Sequence, residues 1–350
     1  MIDKDFCLSS YMAFRYIWKD DYEFYDGMKH ELYKPIPIGE RIPVSTAEEI
    51  DLNIKKQFDE LYKKYDKIGI MLSGGMDSAC LARYLKPGSN AYTFKSELAD
   101  VYSNDMKRAE KYSEICGLKL NYVDISFDDY KMYTPTVMER KCAPVSSIEP
   151  QLYKAALQAK ENGDDLLIVG ESADLIFGGM DKLISKDWTF DEFVERYTFL
   201  KPELVLNNPV NMSELYEKYR EGDGINVLKF MDDVFSIESS SSYLNAFGAA
   251  GIDYYDPYVK LVMRDPLDME RIRNGEPKYL IRELFAFNYP EIEIPFKIPM
   301  PRPVDKVFEK WTGPTREEFR NDISMDGLTG NQKWQLWCAE LFLNQFDDQE

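Results

Sequence analysis

The chain has 350 residues, of which 44% are hydrophobic, and a formal net charge of -19 from 62 acidic and 43 basic side chains. A chain of this length and composition can bury a substantial core, as one large domain or two closely packed ones. Its acidic excess repels a nucleic-acid backbone at long range, and no basic run offsets it, so no nucleic-acid partner is expected. With His30 as the only histidine, a serine-histidine triad or a multi-histidine metal site is disfavoured.

The sequence shows no sign of export or membrane insertion. No apolar run approaches the roughly 20 residues that cross a bilayer. The N-terminus, Met1-Ile2-Asp3-Lys4-Asp5, lacks the basic start and apolar stretch of a signal peptide. The five cysteines are scattered and include no Cys-x-x-Cys pair, so neither a disulfide framework nor a zinc site is indicated. We expect a cytoplasmic protein that does not associate with membranes.

The first 44 residues are dense in aromatic side chains and contain the stretch Pro35-Ile36-Pro37-Ile38-Gly39. Aromatic clusters of this density are more often buried packing than ligand sites, so we expect this segment to pack on the core. Ser45 then offers a helix N-cap, with Glu48 three residues later. An amphipathic helix is predicted by the apolar residues that follow, which are Ile50, Ile54, Phe58 and Leu61.

Strand and helix patterns alternate between residues 68 and 169. Strands are predicted at 68–72, 91–94, 120–125 and 166–169, and helices from Met76, near 104–116, near 127–140 and at 150–161. This alternation predicts an α/β fold, a parallel sheet flanked by helices with its ligand at the carboxyl ends of the strands. From about Trp188 onward helical periodicity dominates, so we expect a mainly helical C-terminal half that closes the pocket.

The first predicted strand runs directly into Ser73-Gly74-Gly75-Met76-Asp77-Ser78. Two adjacent glycines let the backbone turn tightly and point N–H groups at an anion, and the helix that follows adds its positive end. Ser73 and Ser78 can donate hydrogen bonds to phosphate oxygens, and Asp77 can hold the Mg2+ that accompanies a nucleotide. No lysine follows the glycines, so this is not a Walker-type loop that grips a transferring terminal phosphate.

The fourth predicted strand, 166–169, leads into a second loop, Gly170-Glu171-Ser172-Ala173-Asp174-Leu175-Ile176-Phe177-Gly178-Gly179. Together the two loops resemble the asparagine synthetase family of N-type ATP pyrophosphatases, in which they face each other across one active site. Lys278-Tyr279-Leu280-Ile281-Arg282 resembles the family's Lys-x-x-Leu-Arg helix, whose spacing places both cations on one helix face. Pro295-Phe296-Lys297-Ile298-Pro299 resembles the following segment, which carries a catalytic lysine.

The resemblance implies a PP-loop fold of the adenine nucleotide alpha hydrolase type. It divides the chain into a linker-like segment, 1–44, and a synthetase-like domain, 45–350, with a nucleotide-binding part at about 45–187 and a mainly helical part at about 188–350. It also implies metal ligation by Asp77 and Asp174 and catalysis by Glu171 and Lys297. The residues it places against ATP are Leu72, Ser73, Gly74, Gly75, Asp77, Ser78 and Gly170.

The implied reaction has two steps. A carboxylate, on a small molecule, a peptide or a glycan, attacks Mg-ATP to give an acyl adenylate and pyrophosphate, and ammonia or an amine then displaces AMP. The family's glutaminase half needs an N-terminal cysteine, whereas this chain begins Met1-Ile2. We therefore expect nitrogen from ammonia, from an amine, or from a glutaminase on a separate chain.

Five substitutions depart from the family pattern, and two of them are Ser172 and Ala173, which stand where the family usually has glycine and serine. Val169, Leu175 and Lys260 stand where the family has serine, glutamate and aspartate. The first loop, which several pyrophosphatases that modify transfer RNA share, leaves open one alternative, an adenylating enzyme that modifies RNA. The last three substitutions suggest a second, a catalytically silent scaffold that binds nucleotide. The net charge and the second loop disfavour the first alternative.

Overall fold

The computed structural model describes residues 1–95, 102–180, 182–295 and 304–347. Within them the strands are short. They are β1 (Ile42–Val44), β2 (Ile68–Met71), β3 (Asn90–Lys95), β4 (Lys119–Asp124), β5 (Leu166–Ile168), β6 (Arg220–Glu221), β7 (Gly224–Ile225), β8 (Asp253–Tyr255) and β9 (Leu261–Met263).

The main sheet has five strands in the order β4-β3-β2-β5-β8. Every neighbouring pair in it is parallel, and Ile70 in β2 pairs with Ala91 in β3 on one side and with Ile168 in β5 on the other. The predicted parallel sheet is therefore confirmed. Apart from this sheet, β1 and β9 form a parallel pair, and β6 and β7 form a small hairpin.

The helices in the described residues range from one turn to five. They are α1 (Lys4–Phe14), α2 (Ala47–Leu61), α3 (Met76–Ala82), α4 (Tyr102–Cys116), α5 (Phe127–Lys141), α6 (Glu149–Glu161), α7 (Ala173–Ile176), α8 (Phe190–Tyr197), α9 (Pro202–Val205), α10 (Ser213–Glu217), α11 (Val227–Phe230), α12 (Ser236–Ala250), α13 (Met269–Arg273), α14 (Tyr279–Asn288), α15 (Val304–Val307) and α16 (Gly330–Asp347). None is long and apolar enough, in the described part of the chain, to cross a membrane.

The winding of the sheet reverses between β2 and β5. From β2 the chain moves outward through α3 to β3 and through α4 to β4, and then returns across α5 and α6 to β5 on the other side of β2. Because such crossovers are right-handed, α3 and α4 cover one face and α5 and α6 the other. The loops after β2 and β5 therefore diverge and leave a crevice between them.

The predicted elements of the first half are confirmed to within two residues, but the predicted N-cap of α2 is wrong by one. Thr46 caps this helix by accepting the N–H of Glu49 at 3.2 Å, and the Ser45 N–H donates to the Glu49 carboxylate at 2.8 Å. The capping chemistry is as expected but shifted along the chain. The four predicted apolar positions, Ile50, Ile54, Phe58 and Leu61, are all buried.

The second half is mainly helical, but it also supplies an unpredicted strand, β8, to the edge of the main sheet. Asp253, Tyr254 and Tyr255 form this strand, and none of them is fully buried. Three residues without an apolar alternation give no strand signal in the sequence. Pairing with β5 in the folded protein determines their conformation.

The aromatic N-terminal segment is buried in its own chain. In α1 every residue from Phe6 to Phe14 is buried. Phe24 packs on Phe342 of α16 with ring centroids 4.8 Å apart, an edge-tilted contact of the kind that stabilises cores. The segment thus packs against α16 at the end of the described chain.

Candidate active site

A cavity of about 190 Å³ opens at the carboxyl ends of β2 and β5, in the crevice where the winding reverses. Both candidate loops form part of its wall, and residues of β3 and α6, among them Phe94 and Leu152, also line it. Most of the residues predicted from the sequence line it, namely Leu72, Ser73, Gly75, Asp77, Ser78, Gly170, Glu171 and Asp174. The fold thus brings together two segments that are about a hundred residues apart in sequence.

The first loop is held by its own hydroxyl groups. Ser78 Oγ accepts the Ser73 N–H at 3.1 Å and lies 3.0 Å from Ser73 Oγ, and Gly75 donates its N–H to Ser73 Oγ at 3.1 Å. Gly75 is also the N-cap of α3, so the helix begins inside the loop. The loop is therefore preformed, with the positive end of a helix dipole directed into the cavity.

Gly74 is the one predicted loop residue that does not line the cavity. It lies against α4, where a Cβ atom would collide with both the backbone and the side chain of Asp105. The Tyr112 hydroxyl, also on α4, donates to the Gly74 carbonyl at 3.4 Å. Gly74 thus permits a close approach of α4, and Asp105, which sequence reasoning missed, reaches the cavity wall from there. Burial raises the pKa of the Asp105 carboxyl, although the Gly74 N–H opposes the shift.

Asp77 and Asp174 converge on one ammonium group. Lys278 Nζ lies 2.6 Å from Asp77 Oδ2 and 2.8 Å from Asp174 Oδ1, and the lysine side chain is only 4% exposed. Burial lowers the pKa of Lys278 and the two carboxylates raise it, with a net upward shift that keeps the group charged. The two aspartates predicted from separate loops therefore share one location.

The path of the Lys278 side chain explains why residue 179, the second glycine of the Gly178-Gly179 pair, has no side chain. A Cβ atom on Gly179 would lie 2.7 Å from Lys278 Cδ and would collide with the Asp174 carboxylate. Lys278 itself has a positive φ of 55° and precedes α14, so its predicted place on a helix face with Arg282 is wrong. Its match to the Lys-x-x-Leu-Arg pattern was the signal for this residue, but the pattern does not show where the side chain points.

Glu171 is held by two hydroxyl groups of α12. Tyr243 donates to Glu171 Oε2 at 2.9 Å, and Ser239 donates to Oε1. Loss of hydration raises the pKa of the Glu171 carboxyl, while these two hydrogen bonds oppose the rise. Neither partner was predicted, because a serine and a tyrosine on a helix give no chemical signal until the fold places them.

Asp256 anchors the loop that carries Glu171 and Asp174. Its carboxylate accepts the backbone N–H of Ser172 at 2.7 Å and that of Tyr258 at 3.0 Å. Burial raises the pKa of Asp256 to about 7, although both N–H donors oppose the shift. Lys260, one of the departures from the family pattern, is exposed and does not line the cavity. Its Nζ lies 5.2 Å from the centre of the Tyr255 ring.

The donor set of the cavity fits a magnesium ion bound together with phosphates. Asp77 and Asp174 offer carboxylate oxygens, which Mg2+ prefers, and Mg2+ is commonly held by one or two carboxylates with substrate phosphates supplying further ligands. In the part of the chain that the structure describes, no cluster of three or more histidine, cysteine, aspartate or glutamate residues forms a self-sufficient metal site. The predicted catalytic Lys297 lies outside the described residues, although Pro295, two positions earlier, reaches the cavity.

Two curated proteins resemble part of the chain. A proposed glutamine-hydrolysing asparagine synthetase of Methanocaldococcus jannaschii is 27% identical over 143 residues, which are 40% of this chain and 26% of that protein. The chloroplastic tRNA(Ile)-lysidine synthase of Gracilaria tenuistipitata var. liui is 30% identical over 122 residues, 35% of this chain and 37% of that protein. The chain thus spans about a quarter to just over a third of these relatives.

Among solved structures, the NH3-dependent NAD synthetase of Campylobacter jejuni subsp. jejuni is similar over 39% of this chain and 61% of its own, with 16% identity and a TM-score of 0.29. The asparagine synthase family itself matches residues 55–233, which include β2, β5 and both loops of the cavity. That match covers just over half of the 350 residues, and the chain therefore belongs to the asparagine synthase family.

Proposed function

We propose that the chain is an ATP-dependent ligase that adenylates a carboxylate, releases pyrophosphate, and then transfers ammonia or an amine to the activated carbonyl with release of AMP. The observation that carries the proposal is the convergence of Ser73–Ser78, Glu171 and Asp174 on one cavity at the reversal point of the sheet. Family membership supports ATP use and adenylation, while the carboxylate, the nitrogen source and amide formation are our proposal.

In this proposal the first loop binds the β- and γ-phosphates, which leave as pyrophosphate. The N–H groups at the start of α3 and the hydroxyls of Ser73 and Ser78 face them, and no lysine of the Walker type is available in this loop. Asp77 and Asp174 would hold Mg2+, which, when bound, neutralises charge on the phosphate oxygens. Lys297 is proposed to stabilise the same charge in the transition state.

Glu171 is the proposed base and orienting group of the second step. Ser239 and Tyr243 fix both of its oxygens, and burial raises its pKa, so the carboxylate is poised to accept a proton from an incoming amine. The tightness of this arrangement favours ammonia or a small amine as the nucleophile. A separate glutaminase would supply ammonia to the same position.

Product analysis tests this proposal directly. The chain is incubated with Mg2+, ATP labelled at the α or γ position, ammonium and a panel of carboxylic acids, beginning with acidic amino acids. We expect AMP and pyrophosphate in equal amounts, and a steep loss of rate in Asp77→Asn and Asp174→Asn. The matched control is Asp128→Asn, since Asp128 is an 87% exposed carboxylate on α5. Stoichiometric ADP and phosphate, or wild-type rates in both site variants, would contradict the proposal.

The second candidate is adenylation of RNA, which the similarity to a tRNA(Ile)-lysidine synthase favours. The net charge of -19 opposes a long-range approach of RNA. The two candidates separate in an exchange assay between labelled pyrophosphate and ATP. Exchange that requires tRNA and not a small carboxylate would favour RNA modification.

A further inference from the structure

Lys278 occupies the gap between the two aspartates that are proposed to hold the metal ion. Its ammonium group lies 2.6 Å from Asp77 Oδ2 and 2.8 Å from Asp174 Oδ1, with the side chain 4% exposed. The left-handed backbone at Lys278 and the missing Cβ of Gly179 both serve to bring the stem into this position. The ammonium is therefore built into the site and is not a mobile surface charge.

An ammonium group and a divalent ion compete for these oxygens. Mg2+ binds carboxylate oxygens at about 2.0–2.1 Å, so an ion shared by Asp77 and Asp174 would lie where Lys278 Nζ now hydrogen-bonds. Two cations within a few ångströms repel each other strongly at the reduced dielectric constant of a protein cleft. Metal binding to both aspartates therefore requires the ammonium to find another partner.

We propose that Lys278 is an internal counter-ion that keeps divalent metal from Asp77 and Asp174 until nucleotide phosphates arrive. This inference rests on the proposed function, because it assumes that the first loop binds phosphates. The phosphates bring negative charge that can accept the ammonium, and the two aspartates then become available to the metal. Metal and nucleotide consequently bind with positive coupling, and each raises the affinity of the other.

Before nucleotide binds, Lys278 also balances part of the negative charge of Asp77 and Asp174. Without nucleotide, two carboxylates this close would repel each other or capture a divalent ion, and Lys278 neutralises one of the two charges. The lysine thus keeps the loops after β2 and β5 together before the substrate enters. It also makes entry of the metal dependent on the nucleotide that it accompanies.

Mn2+ binding, followed by the electron paramagnetic resonance signal of free Mn2+, tests the inference without any turnover. The full chain is titrated as wild type, as Lys278→Met, and as Lys260→Met, which removes the same charge from an exposed position. In the absence of nucleotide, we expect Lys278→Met to bind Mn2+ at least about tenfold more tightly than wild type does. This corresponds to a gain of about 1.4 kcal/mol in binding free energy. Lys260→Met should behave as wild type, and adding Asp77→Asn to Lys278→Met should remove the gain.

Two further variants keep the test decisive. Lys278→Gln replaces Lys278→Met if circular dichroism shows that the latter is unfolded, and Lys278→Arg, which retains the charge, should keep the low Mn2+ affinity of wild type. Unchanged or weaker Mn2+ binding in a folded neutral variant would overturn the inference. Binding of α,β-methylene ATP is measured in parallel. A wild-type chain that binds none of it would count against the proposed function, whereas normal nucleotide binding with no Lys278 effect on Mn2+ would count against this inference alone.

Discussion

At the scale of single residues, the site depends on side chains that hold other side chains. Glu171 has no cationic partner among its described contacts and is oriented by hydroxyl groups of Ser239 and Tyr243. A carboxylate oriented in this way keeps enough basicity to accept a proton, because hydroxyl donors stabilise its charge less than an arginine would. These two donors are therefore proposed as positioning residues.

Removal of the Tyr243 hydroxyl should affect the second half-reaction more than the first. In Tyr243→Phe we expect amide formation to fall by about tenfold, the loss of one hydrogen bond to a charged group, while pyrophosphate exchange changes little. The pH at which amide formation becomes half-maximal should rise, because the pKa of Glu171 loses a stabilising donor. Tyr65→Phe is the matched control, since its hydroxyl donates to a surface carboxylate of Asp253 at 2.9 Å. An equal fall in both half-reactions would show that Tyr243 acts before the amine enters.

Asp256 should give the stability of the chain a distinctive pH dependence. Its pKa is about 7 in the folded chain and close to 3.8 when unfolded, so the folded state binds the extra proton between these values. The contribution of Asp256 protonation to the free energy of unfolding is fully present below pH 3.8 and is lost as the pH rises towards 7. The unfolding free energy of wild type minus that of Asp256→Asn, measured in urea titrations, should therefore decrease from pH 5 to pH 8. Asp253→Asn, at the start of the strand that Asp256 follows, should run parallel to wild type, and a parallel Asp256→Asn profile would contradict this assignment.

At the scale of elements, α12 separates the cavity from the N-terminal segment. Ser239 and Tyr243 on α12 contact Glu171, while Ser241 on the same helix accepts the N–H of Tyr33 at 2.9 Å. A π-helical turn, Met231–Phe235, leads into α12, and irregular turns of this kind often occur near functional sites. The N-terminal segment thus supports the helix that orients Glu171.

The ion pair between Arg41 and Asp232 fixes this support. The guanidinium donates to both carboxylate oxygens of Asp232, at 2.7 and 3.2 Å, and the arginine side chain is 6% exposed. We expect Arg41→Met to lower the unfolding free energy by about 1–3 kcal/mol, because a partly buried carboxylate loses its partner. Arg41→Lys should recover part of it. Arg320→Met, which breaks an exposed pair with Asp322, should change stability by no more than about 0.5 kcal/mol. Equal effects of the buried and the exposed pair in urea unfolding would contradict the role of Arg41.

The sequence predicts the elements whose signals are local and misses those that packing creates. The strand-loop-helix pattern around Ser73–Ser78 was enough to place β2, α3 and the loop between them. Strand β8, the partners of Glu171 and the anchor Asp256 depend on contacts between segments far apart in the chain. The position of the Lys278 ammonium depends on the left-handed backbone conformation of Lys278 itself, which the i, i+4 spacing did not reveal. Periodicity shows which residues share a face of a helix, but it does not determine the first residue of that helix.

At the scale of the whole molecule, the strand order β4-β3-β2-β5-β8 accounts for the location of the site. Reversal of the winding between β2 and β5 places two loop segments side by side, each supplying one aspartate to the same gap. The mainly helical second half contributes Lys278 and the two hydroxyls that hold Glu171. Residues that carry the proposed chemistry thus come from four separate parts of the chain and meet only in the folded state.

A crystal structure of the chain with Mg2+ and α,β-methylene ATP tests the central claim most directly. This analogue cannot be cleaved at the bond that adenylation breaks, so it should stay intact in the cavity. We predict β- and γ-phosphates against the N–H groups and hydroxyls of residues 73–78, with Mg2+ bound by Asp77 and Asp174 and the Lys278 ammonium turned towards phosphate. Nucleotide bound elsewhere on the molecule, or none in the crevice at concentrations that saturate binding in solution, would contradict the account.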